Sequence, residues 1–224
     1  MNRSVVQTLI LTDWQRHRVA ILLSIAGGGV ALVLLQFGGE IATILGATWF
    51  FVSLIVLGSM VPSSNVVNER KKQILPFLMS LPLSITQYTM AKTVSTVGIF
   101  LVPWLTLVVA AVSLIVGRES IPDGMIPTTI ILSTLTLIGF CVIAGVALVS
   151  ESEGWTMAAT VVANTSYGYG WYLLVRNPVI REGMKSPVVV WSPEVLTIIA
   201  VEVAVIVVIL GLTFYLQSRK KDFV

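Results

Sequence analysis

Acidic and imidazole side chains are sparse in this 224-residue chain, and where they and the polar residues of its apolar stretches fall decides which chemistries are open to it. Glu202 stands alone as a charge deep in a long apolar stretch, about 12 Å along a helix that would start near Pro193. A carboxylate at the centre of a bilayer costs about 3 kcal/mol on insertion scales, so this one must face protein, keep its proton or meet water. As a functional group it would bind a cation or sense protons. As a structural group it would hydrogen-bond a neighbouring helix, for example a Ser or Thr of residues 126–150. A second pattern is Thr156, Thr160, Asn164, Tyr167 and Trp171, spaced at steps of 4, 4, 3 and 4, which puts them on one helical face. In apolar surroundings such a stripe faces protein or a cavity. It would line a path for a solute, or it would hold helices together and end in an aromatic belt where Tyr169, Trp171 and Tyr172 cluster.

Other chemistries lack their residues. There is no G-x-x-x-x-G-K-[ST] phosphate loop, so the chain is not expected to hydrolyse ATP itself. No G-x-S-x-G is present, and the scattered serines have no plausible histidine partner for nucleophilic catalysis, so no catalytic residue is expected. The single histidine, His17, lies between two arginines without a second His or a Cys nearby; it reads as an interfacial polar residue, and no metal site is expected. The single cysteine, Cys141, lies in an apolar run and reads as a small core residue.

The elements that must position these residues follow from composition. Hydrophobic residues make up 56% of the chain and charged ones 11%, against about 25% charged in ordinary soluble domains. Mean hydropathy is +0.93. The charges cluster between uncharged stretches, and six stretches are long enough to cross a bilayer as helices: about 19–37, 41–61, 93–116, 126–150, 155–175 and 193–216. The expectation is an all-α integral membrane protein, one transmembrane domain over 1–224, with no separate soluble domain. Formal charge is +3, but the basic residues sit between apolar segments rather than along a soluble face, so a nucleic-acid partner is not implied.

An even number of spans puts both termini on one side. With that side cytoplasmic, ten basic residues lie inside (Arg3, Arg16, Arg18, Arg70, Lys71, Lys72, Lys92, Arg219, Lys220 and Lys221) and four outside (Arg118, Arg176, Arg181 and Lys185). That asymmetry places both termini in the cytoplasm of a multi-pass protein of the cell membrane. Ahead of the first span, Val5, Val6, Leu9, Ile10 and Trp14 fall at helical spacing. They suggest an amphipathic helix over about 4–16, lying in the interface with Trp14 at headgroup depth; the alternative is a simple extension of the first span. Gly27 with Ala31, and Ala42 with Gly46, are small pairs suited to close helix approach.

The inner connection 62–92 carries the most information. Ser63, Ser64 and Asn65 can cap a helix that bears Glu69 early and ends near Pro76. Its charged head, Glu69, Arg70, Lys71 and Lys72, precedes an apolar tail, Ile74, Leu75, Phe77, Leu78 and Met79. This suits either docking into a groove of a partner protein or lying on anionic lipid. The ordered set Glu69-Arg70, then Ser80-Leu81-Pro82-Leu83-Ser84, then Gln87-Tyr88 and Ala91-Lys92, after a second span, resembles the permease subunits of ABC-2-type ABC transporters. The likeness in layout covers nearly the whole chain and in motif about 25 residues.

That resemblance implies that residues 69–79 form a coupling helix against a separate ATP-binding subunit, in two copies, which carries the ATP and Mg. It also implies a second permease copy, as homodimer or paralogous heterodimer, and no cofactor in this chain. It further implies a conduit between the second and fifth spans of two subunits, which adds Thr48, Trp49 and Phe50 to Thr160, Asn164, Tyr167 and Trp171 as path residues. The function so implied is export driven by ATP. The short outer loop 176–192 leaves no large extracellular domain. Two competitors stand: a gradient-driven carrier using Glu202, and a membrane scaffold that transports nothing.

Overall fold

The computed structural model describes residues 3–67, 85–118 and 121–219, and every regular element among them is helical. The order is α1 (Arg3–Gln36), α2 (Glu40–Pro62) running into a π-helical turn (Ser63–Val67), α3 (Ile85–Val116), α4 (Met125–Ser150), α5 (Glu153–Arg176), the short α6 (Pro178–Gly183) and α7 (Pro193–Ser218). Among the described residues, five helices are long and apolar enough to cross a membrane: α1, α2, α3, α4 and α7. The chain is an all-helical, multi-pass membrane protein by that measure. The sixth expected span, 155–175, is helical as α5, but its Thr, Asn, Ser, Tyr and Gly residues keep it out of that apolar group.

A separate interfacial helix over 4–16 is not formed. Its residues are the opening turns of α1, which runs unbroken for 34 residues, about 51 Å at the usual rise. The reason lies in packing: Asp13 and His17 are buried, and Trp14 lies against the cluster of Ile21, Leu57, Val61, Ile99, Phe100 and Phe140. The Gly27-Gly28-Gly29 run does not interrupt α1. Gly28 gives its space to Leu107, whose Cδ2 lies 2.4 Å from where a Cβ would stand.

Three hydrophobic stripes close the first bundle. On α2 it is Phe50, Leu54, Leu57 and Val61; on α3 it is Ile99, Phe100, Leu107 and Ala111; on α1 it is Ile21, Ala31 and Leu32. Each recurs at helical spacing, so each buries one face. The turn between α1 and α2 is made by Gly38 and Gly39, with φ of 71° and 85°, a left-handed conformation that costs residues with a Cβ about 1–2 kcal/mol. The predicted small pairs meet across this hairpin, where a Cβ on Gly46 would come within 2.9 Å of the Ala31 carbonyl.

Helix α4 is the centre of the molecule and packs on α2, α3, α5 and α7. Just over half of its most apolar window is buried (56%), against 11% for α7, so α7 is peripheral. Gly170 abuts Leu135 and Gly139 abuts Ala163, so α5 runs antiparallel to α4. Thr213 fills the notch at Gly145, while Val195 shares a cluster with Ile131 and Leu132, so α7 runs parallel to α4.

The connection after α5 folds back on the bundle. Asn177 caps α6 by accepting from the Val179 and Ile180 amides, and Ile180 is buried with Leu132 and Leu174. The Gly124 amide donates to the Ser186 carbonyl at 3.1 Å, joining the turn before α4 to the loop after α6. At the same end, Arg118 Nη1 donates to the Gln36 carbonyl at 2.6 Å, a cation on the C-terminus of α1.

Candidate functional site

A buried polar network ties α1, the π-helical turn and α3 together where the 68–84 segment departs and returns. Lys92 Nζ lies 2.9 Å from both carboxylate oxygens of Asp13, and both side chains are almost wholly inaccessible (3% exposed each). Lys92 also donates to Asn65 Oδ1 at 3.2 Å. Asn65 Nδ2 donates to Thr96 Oγ1 at 2.8 Å, and Ser95 Oγ donates to Asp13 Oδ2 at 2.8 Å. A buried pair with this many additional bonds offsets its desolvation, and removing one member strands a charge in a dry site.

His17 extends the network along α1. Its Nδ1 faces the Asp13 carbonyl at 2.9 Å; a carbonyl only accepts, so Nδ1 carries the proton. Its Nε2 shares a hydrogen bond with Ser64 Oγ at 2.8 Å, within the π-helical turn. His17 is thus held by protein rather than by solvent: it is 3% exposed and bonded between two elements. π-Helical turns are rare and cluster at functional sites. This one follows Pro62, which has no N–H for the helix ladder, and it carries Ser64 and Asn65 into the network.

Sequence reasoning missed Asp13, and took Lys92 as an inner cation and as the end of the Glu69–Lys92 motif, not as a buried partner. A signal was present. On each helix the polar residue continues an apolar stripe: Val61 then Asn65, Thr96 then Lys92 reading backward from Phe100, and Ile21, His17 and Asp13 reading backward on α1. A charge in register with a buried face has to meet its opposite.

The residues expected to contact a partner, Glu69, Arg70, Lys71, Lys72, Ile74, Leu75, Phe77, Leu78 and Met79, lie outside the described residues. The network stands at both roots of that segment: Asn65 precedes it and Lys92 follows it.

The residues expected along a path are only partly brought together. Tyr167 of α5 reaches α2, its ring 5.8 Å from that of Phe51. Asn164 and Tyr167 border a small crevice against Ser59 and Gly58. Trp171 and Phe50 line a separate cavity of about 110 Å³, with Phe51 between them. Thr160 turns back to the Thr156 carbonyl at 2.9 Å. Trp49 points away from α5, into a groove between α1 and α2. Within the chain the stripe meets the second span through Tyr167, and the aromatic it meets there is Phe51.

Glu202 faces inward at 7% exposure between the exposed Val201 and Val203. Its Oε2 has no hydrogen-bond partner, and neither has the buried Ser133 Oγ of α4. On α7, Ile198 and Ile199 pack beside Ile131 and Leu132, whereas Ile206 packs beside Phe140 and Cys141. That register sets Glu202 opposite the part of α4 holding Ser133, Thr134 and Thr136, all buried.

Comparison with known family models, with curated proteins and with solved structures finds no match for this chain.

Proposed function

We propose that this chain is the membrane-spanning permease subunit of an ATP-driven ABC transporter of the ABC-2 type, working as an exporter. One observation carries the reading: the two roots of the 68–84 segment are bonded to each other and to α1 through Asn65, Lys92 and Asp13. A push on that segment would move α1, α2 and α3 as one body. The ordered motif from Glu69 to Lys92 supports the same reading by resemblance. On this view residues 69–79 receive force from an ATP-binding subunit, which holds the ATP and Mg, and a second permease copy completes a two-fold assembly.

α5 is the sixth crossing in this proposal. Its support is connectivity: α4 and α7 lie side by side and parallel, so the chain between them has to return through the thickness of the bundle. Six crossings put both termini on one side, and the basic residues favour the cytoplasmic face of the cell membrane. The polar residues that α5 exposes, Asn164, Thr165 and Ser166 among them, suit a surface that meets the second copy or water rather than lipid.

The test is purification of the tagged full-length chain from its native membranes. An ATP-binding protein should travel with it, and Glu69→Ala with Arg70→Ala should uncouple ATPase activity from transport while leaving insertion intact. Transport by the chain alone, without such a companion, overturns the proposal. A gradient-driven carrier is the second reading, favoured by the unpartnered Oε2 of Glu202. It predicts flux that stops when ion gradients are collapsed and persists when ATP is withdrawn.

A further inference from the structure

The groove between α1 and α2 has a shape and charge that fit one class of ligand. It encloses about 690 Å³, within the range of roughly 300–1,000 Å³ typical of small-molecule sites. One end holds Arg16, His17 and Ser64; the walls are mainly apolar, with Leu23, Val56 and Met60 beside Ser24, whose hydroxyl is turned onto the Ser53 carbonyl; the far end stops at Gly27 and Trp49. From Arg16 to Gly27 is about 16 Å along the helix, close to half of a hydrocarbon core about 30 Å thick. A trough one leaflet deep, uncharged and mainly apolar along its shaft and cationic only at the mouth, has the shape and charge of one kind of ligand. We infer that it binds a single anionic phospholipid of the leaflet that meets Arg16, its phosphate at the guanidinium and one acyl chain running to Trp49.

Electrostatics and packing agree on this occupant. Arg16 and Arg18 are both exposed, and Arg16 borders the groove. A basic pocket between membrane helices selects anionic headgroups, each basic residue near the surface being worth about fivefold in affinity. The deep end fits a methylene chain because Gly27 has no side chain: a Cβ there would have Ser53 Cβ and Trp49 Nε1 as nearest neighbours, each at 3.8 Å. His17, beside the mouth, is bonded to Ser64 of the π-helical turn, so the headgroup would sit against the network at the roots of the 68–84 segment. The inference depends on the chain crossing a bilayer and not on an ATP-binding partner.

Native mass spectrometry of the full chain, delipidated and then mixed with equal phosphatidylglycerol and phosphatidylcholine, tests it. One phosphatidylglycerol should be retained per chain in preference to phosphatidylcholine. Arg16→Gln should reduce that preference about fivefold, whereas Arg118→Gln, at the opposite end of the bundle, should leave it unchanged. Gly27→Leu should abolish retention of either lipid by filling the trough. Leu23→Trp, at an exposed wall position, provides the same block should the glycine variant fail to fold. No preference in the unaltered chain, or unaltered retention in Arg16→Gln and the blocked variants, overturns the inference. So does quantitative cross-linking of Val56→Cys between two copies in vesicles, because a second chain would then fill the groove.

Discussion

At the scale of single residues, the controlling feature is a charge pair placed where solvent does not reach. Asp13 and Lys92 hold each other at 2.9 Å, with Asn65, Ser95 and Thr96 completing their bonds. Changing Asp13→Asn or Lys92→Met alone should destabilise the fold by about 3–5 kcal/mol, since each leaves its partner charged and dry. The double variant Asp13→Asn with Lys92→Met should recover most of that loss. Thermal unfolding of the four proteins in detergent gives the coupling; additive losses would mean that the pair is not an interacting unit. Glu202 was legible from sequence because an isolated carboxylate in an apolar run is conspicuous. Asp13 was not, because it lies among Gln15, Arg16, His17 and Arg18, where a charge looks solvated. Only the packing of α1 against α3, remote in sequence, reveals it as interior.

At the scale of elements, apolar length was readable and the boundaries were set by packing. The expected stretches from 41–61 onward recur as helices, with bounds within a few residues except that α3 begins at Ile85 rather than 93. The start of α1 differed: local amphipathicity suggested a helix lying flat, but Trp14 and His17 have protein partners that hold it in line with the rest. Glycines show where elements touch, and two of them should respond differently to the same methyl group. A Cβ at Gly28 would press on the end of the Leu107 side chain, which can rotate away. A Cβ at Gly124 would come within 1.9 Å of the Gly183 carbonyl, which is backbone and cannot. Gly124→Ala should therefore cost about 2–3 kcal/mol and Gly28→Ala clearly less, read as shifts in thermal midpoint. Equal shifts would show that the loop after α6 yields as readily as a leucine.

At the scale of the whole molecule, the question is how often the chain crosses. Five helices meet the apolar criterion, and the polar α5 decides the sixth. In a Cys141→Ser background, Phe37→Cys and Lys185→Cys should label with an impermeant maleimide from one side of sealed vesicles, and Ser152→Cys from the other. Should Lys185→Cys share the side of Ser152→Cys, α5 does not cross and the termini lie on opposite faces. The layered organisation was visible in the charge clusters, whereas the network was not, because it joins α1 to α3, remote in sequence, and the groove was not, because it depends on how far apart α1 and α2 pack. The backbone bond from Gly124 to Ser186, and the bond from Arg118 to Gln36, clasp the ends of α1, α3, α4 and the loop before α7. The opposite end is tied through Asp13, Asn65 and Lys92, so α1, α2 and α3 can shift there only as one block. Whatever ligand or subunit drives this molecule, its largest displacements are expected where that block slides against α4, α5 and α7, and the amide of Gly124 should rank among the slowest to exchange with deuterium.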